Sequence, residues 1–187
     1  CAQAFAAADT FPNGRLITYP ADWGTRSKDV VDQIGIPFAP IAGGSEGAMI
    51  AEIKAAVAAE DPVLVMFWQP HWLFAENEMN WVEWDAADGE CVEESGQSKG
   101  NACGFQQASI SKIASKGFAD AYPGANAIYE AYSIGNDVQN AMMLEIDQKG
   151  RDLEEVVAEW VSANESTWAP WVAAGEAAKN YPPPLIF

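Results

Sequence analysis

Residues 62–68, PVLVMFW, form an unbroken apolar run of strand length. A strand with one face in water alternates apolar and polar residues. A run without that alternation is expected where both faces are covered, as in a parallel sheet flanked by helices. The preceding residues supply the other parts of such a sheet. CAQAFAAA at the start is helix-like and leads to a turn at Pro12-Asn13-Gly14. GRLITYP, residues 14–20, reads as a buried strand. Residues 22–34 begin polar and continue in a helical pattern that stops at Gly35. IPFAPIAGG, residues 36–44, is a second predicted strand ending in a glycine turn. Ser45 is placed to cap a helix over 46–60, whose apolar positions Met49, Ile50, Ile53 and Val57 recur at helical spacing. The order strand–helix–strand–helix–strand implies right-handed crossovers and a parallel α/β sheet.

The remainder is different in character. A short helix is predicted in PHWLFAENE, then a strand in NWVEWD, then a polar, glycine-rich stretch. SISKIASKGF reads as a further strand. Helical patterns then follow over 119–131, 136–148, 152–163 and 167–178, and the tail NYPPPLIF cannot be helical through three prolines. The chain therefore divides into an α/β unit, residues 1–110, and a mainly helical part, residues 111–187. Amphipathic helices need a surface to cover, and a sheet outside these residues is expected to provide it.

Charge removes several functions. With 27 acidic and 10 basic residues the formal net charge is -17, which repels nucleic acid and anionic lipid. An acidic surface serves solubility; it also attracts cations, although a small ligand is fixed by its pocket and not by the surface. No apolar run is long enough to span a membrane. Of three cysteines, Cys91 and Cys103 close a short polar loop, which suggests a disulfide and an oxidising compartment. A metal site is disfavoured because the single histidine, His71, is distant in sequence. Cys1 is either the lipidated first residue of a surface lipoprotein, the partner of a cysteine elsewhere, or free. The acidic cluster Asp85, Asp88, Glu90, Glu93 and Glu94 lacks EF-hand spacing and reads as a solvated loop.

Two constellations bear on ligand binding. Trp23-Gly24-Thr25 follows the first predicted strand and opens a helix, the position at which open α/β sheets bind ligands. Free N–H groups there suit a carboxylate, and Gly24 admits a close backbone approach. Phe67-Trp68-Gln69-Pro70-His71-Trp72 ends the third strand. In a parallel sheet these two strand ends share an edge, so Trp23 and Trp68 converge on one cleft. Aromatic faces are the natural receptor of a quaternary ammonium, which has no N–H to donate. Arg15 and Arg26 lie near this edge; surface ion pairs are their default role. Catalysis by Ser45 or His71 is unsupported by any accompanying motif. No cofactor is implied.

YPADWGT, the segment from GGSEGAMIAEIK through WQPHWLF to NWVEWD, and ISKIASKGFADAYPG onward resemble the substrate-binding proteins of glycine betaine/proline betaine/choline ABC importers. The resemblance covers most of residues 14–172. It implies a periplasmic-binding-protein fold of two α/β lobes that close on a ligand, and an extracytoplasmic, transport role beside a membrane permease rather than an enzyme. It implies Trp23 and Trp68 as cage walls, Gly24 and Thr25 as carboxylate donors, and His71 and Trp72 as either ligand contacts or supports of the lobe. Residues 1–110 would form most of the second lobe, and 111–187 would return to the first. An opening segment of the first lobe, carrying a further aromatic, is then expected before residue 1 or on a partner chain.

Overall fold

The computed structural model describes residues 2–24, 28–29, 31–32, 35–82 and 110–179. The chain forms two units, residues 1–68 with 80–108, and residues 69–79 with 109–187.

In the first unit, strand β1 (Gly14–Thr18) pairs in parallel with β2 (Phe38–Ala42), Gly14 opposite Phe38 and Thr18 opposite Ala42. On the other side of β1, Val65 makes a parallel bridge with Ile17, whose N–H donates to the Leu64 carbonyl at 3.0 Å. β1 is thus central, and its Leu16 and Ile17 are buried. Helix α1 (Glu46–Ala59) packs Met49 and Ile53 into the same core. Its start is fixed as expected: the Ser45 hydroxyl accepts from the Ala48 N–H at 3.2 Å. Ser45→Ala is expected to destabilise this unit by about 1 kcal/mol, read as a lower denaturation midpoint; an unchanged midpoint would show that the cap contributes nothing.

Two expectations are corrected here. Val57, on the helical spacing of α1, is 49% exposed, whereas Met49 and Ile53 are buried. Among the described residues the run 62–68 pairs around Val65 alone, and residues 63–66 are half-buried rather than fully covered. Lys28, Asp29, Val31 and Asp32 are helical, in keeping with the pattern over 22–34. Arg15 pairs with Glu52 at 3.2 Å.

The second unit contains α2 (Leu73–Glu76), α3 (Phe118–Ala121), α4 (Pro123–Ala131), α5 (Asn136–Met143), α6 (Leu153–Ala163) and α7 (Glu165–Lys179). A π-helical turn, Leu144–Gln148, extends α5. Among its described residues there is no strand. SISKIASKGF, expected as one, has no strand over 110–117 and begins a helix at Phe118, with Ile113 85% exposed. Among the described residues its apolar side chains have no neighbouring strand to pair with. NWVEWD shows no strand at 80–82, and its other residues lie outside those described.

The helices are tied at their ends. The Asp152 carboxylate caps α6 by accepting from the N–H groups of Glu154 and Glu155. Lys112 Nζ donates to the carbonyls of Tyr129, Glu130 and Tyr132 at 2.7–2.8 Å, which satisfies the open C-terminal end of α4. Arg151 bridges Glu145 and Glu159. Lys149 and Arg151 hold the Glu145 carboxyl below its ordinary range, and Arg151 does the same to Glu159. No helix among the described residues is long and apolar enough to cross a membrane.

Candidate functional site

The ends of β1 and the 64–66 segment bring aromatic residues together. Beyond the Ile17–Val65 bridge, each chain runs on in the same direction. β1 continues through Tyr19 and buried Pro20 into a short 3-10 turn, Ala21–Trp23. The other chain continues through buried Phe67 to Trp68. The Trp23 and Trp68 ring centroids are 5.4 Å apart, tilted by 57°. The Tyr19 ring lies 5.9 Å from Trp23 and 6.0 Å from Trp68. Phe67 stacks against Trp68 at 4.2 Å.

The three rings form a triangle of tilted, unstacked contacts, with 40–57° between ring planes. Trp23 is 53% exposed and stands at the rim, while Tyr19 and Trp68 are half-buried. The sequence therefore placed both tryptophans at one sheet edge, and the structure brings them into contact. It did not single out Tyr19. The available signal was its position directly after β1, one residue before a proline.

Gly24 adopts φ 118°, ψ 172°, a conformation essentially restricted to glycine. Its N–H donates to the Ala21 carbonyl at 3.3 Å, a long bond. Thr25 lies outside the described residues, as do Arg26, the acidic cluster, and the Cys91 and Cys103 pair expected to form a disulfide.

His71 and Trp72 belong to the other unit and are buried there, 3% and 6% exposed. The His71 N–H donates to buried Asn140 Oδ1 at 2.7 Å, and His71 Nδ1 accepts from the Leu73 N–H at 3.1 Å. The Trp72 ring lies 5.0 Å from the imidazole. These contacts join α2 to α5, which suits the supporting alternative of the two roles open to them. The Ser45 hydroxyl caps α1.

Residues 3–163 match the family model OpuAC, described as the substrate binding domain of ABC-type glycine betaine transport system. Over 127 residues, 68% of this chain and 37% of the relative, there is 26% identity to the glycine betaine/carnitine transport binding protein GbuC of Listeria monocytogenes serotype 1/2a (strain 10403S). The fold is similar to that of lactococcal OpuAC in its closed-liganded conformation complexed with glycine betaine. The TM-score is 0.56 at 18% identity, covering 88% of this chain and 58% of that one. An ABC-transporter choline binding protein in an unliganded semi-closed conformation gives a TM-score of 0.49 at 20% identity, covering 90% of this chain and 60% of that one. The chain thus spans 37–60% of the length of these relatives.

Proposed function

This chain belongs to the OpuAC family of substrate-binding domains of ABC-type glycine betaine transport systems, and on that premise we propose that it contributes the aromatic wall of a site for a quaternary-ammonium osmolyte such as glycine betaine. The family consists of solute-binding proteins of ABC transporters, not enzymes, and such proteins of importers work outside the cytoplasm. In the proposed role the chain serves an importer by presenting its solute to the membrane permease.

The observation that carries this reading is the contact between Trp23 and Trp68 at the ends of two neighbouring parallel segments. Each face contributes about 0.5–2 kcal/mol toward a cation, more as water is excluded. In the same reading the carboxylate is held by the N–H groups of Gly24 and Thr25. The long Gly24 bond to Ala21 supports this, since a charged acceptor forms a stronger bond than a neutral carbonyl and can displace it. We assign His71 and Trp72 to support of the helical unit. The first unit is read as part of the second lobe and the helical unit as part of the first. The opposing wall of the cage is assigned to polypeptide outside these residues, which implies low affinity for this chain alone.

Titration of the complete two-lobed protein with glycine betaine, choline and trimethylamine N-oxide, followed by tryptophan fluorescence, is expected to give saturable binding. A flat response to all three at high concentration would remove the cage reading.

A further inference from the structure

We infer that Asn140, with Asn136 one turn before it, is a positioning residue for the solute site: from α5 the two side chains hold the backbone that leaves Trp68, and so set how often that indole stands ready for a ligand. The inference rests on the binding function proposed above. On the entering side of Trp68, the Tyr19 hydroxyl donates to the Phe67 carbonyl at 3.1 Å. The leaving side is held from the helical unit, to which residues 69–79 belong. Asn140 Oδ1 accepts from the His71 N–H at 2.7 Å, and Asn136 Nδ2 donates to Gln69 Oε1 at 3.0 Å. Positions four apart share one face of a helix, so α5 presents this pair to alternate residues of the segment it grips.

The two bonds differ in consequence. Asn140 and His71 are each 3% exposed, and a buried N–H that loses its acceptor bears the full cost of its lost hydration. The bond between Asn136 and Gln69 is exposed, where water competes for both groups. His71 makes a further bond, its Nδ1 accepting from the N–H of buried Leu73 at 3.1 Å. That bond is local to the segment, whereas the Asn140 bond ties the segment to another helix.

Few soft torsions separate this anchor from Trp68. Pro70 has its φ locked by its ring. Gln69 precedes a proline and is thereby confined to extended conformations. Backbone fixed at His71 therefore carries its direction back to the indole. Released from Asn140, the segment samples further arrangements, and affinity falls in proportion to the fraction that remains competent to bind. A competent fraction of about one tenth means a loss of about tenfold.

The test titrates glycine betaine calorimetrically into the complete two-lobed protein as wild type, Asn140→Leu and Asn140→Asp. Thermal unfolding and circular dichroism of the indole bands are recorded for each without ligand. Asn140→Leu is near in volume but has no acceptor; it is expected to bind about tenfold more weakly and to change the indole signal. Asn140→Asp presents an oxygen to the His71 N–H in either protonation state, and is expected to recover both. Wild-type affinity in folded Asn140→Leu would overturn the inference, as would a lower thermal midpoint with affinity and indole signal unchanged, the mark of a merely structural residue. If Asn140→Leu does not fold, Asn136→Ala and Gln69→Ala, at the exposed bond, take its place. Each is expected to lose about threefold, and the double variant no more than either alone; additive losses would overturn the inference. No binding of glycine betaine by the wild type would overturn the proposed function itself, an outcome distinct from all of these.

Discussion

Replacing Trp68 with alanine is expected to weaken glycine betaine binding about tenfold or more, and Trp23→Ala is expected to do the same. Tenfold corresponds to about 1.4 kcal/mol, within the range of a partly desolvated cation–π contact with its packing. Trp68 is the more deeply set of the two, stacked on Phe67 at 4.2 Å and tilted against Tyr19 and Trp23. Its loss removes one wall and the surface on which Trp23 leans. Trp68→Phe keeps an aromatic face and should lose less than Trp68→Ala. Calorimetric titration measures the affinities, and the thermal midpoint of each variant shows whether the fold survives. Wild-type affinity in either alanine variant would exclude that residue from the cage.

Gly175→Val should destabilise the helical unit by about 1–3 kcal/mol, the usual range for overpacking, toward its upper end. Helices α4 and α7 cross where Gly124 and Gly175 face each other. A Cβ at Gly175 would stand 2.4 Å from Ile128 Cγ1 and 2.9 Å from the Gly124 carbonyl oxygen. The isoleucine can rotate away, whereas the carbonyl belongs to the backbone of α4 and yields only if the helices separate. Glycine inside a helix is itself unfavourable by roughly 0.5–1 kcal/mol against alanine, so close approach is what this position gains in exchange. Denaturant unfolding followed by far-ultraviolet circular dichroism gives the answer; a variant as stable as the wild type would mean that the crossing is loose.

Much of this architecture could be read from residue spacing. β1, β2 and α1 with its Ser45 cap stand where the alternation of patterns put them, because each carries a local signal: a short apolar run, a glycine turn, a capping side chain. The later helices do too, with Asp152 as a cap, although the pattern read over 119–131 is divided before Pro123 into α3 and α4. What depends on neighbours was less legible. An apolar run states that burial is wanted but not how many strands supply it; among the described residues 62–68 pairs around Val65 alone. SISKIASKGF has strand-like composition, yet among the described residues no strand lies beside it. The sequence likewise carries no mark that residues 69–79 group with the C-terminal helices; that grouping comes from Asn140 reaching the His71 backbone, two residues far apart in the chain. At the site, the tryptophans were legible from their strand-end positions. Tyr19 was not, because its meaning lies in a hydrogen bond across the ladder.

The tilt between Trp23 and Trp68 has an optical consequence. Two indoles 5.4 Å apart and inclined at 57° are coupled chromophores, and oblique coupling produces a circular-dichroism couplet in the indole absorption bands. The helical unit holds its own pair, Trp160 and Trp171, at 6.5 Å, which adds a contribution of its own. The part of that signal lost in Trp68→Ala belongs to the first unit, and it changes whenever a guest pushes the two indoles to a new angle.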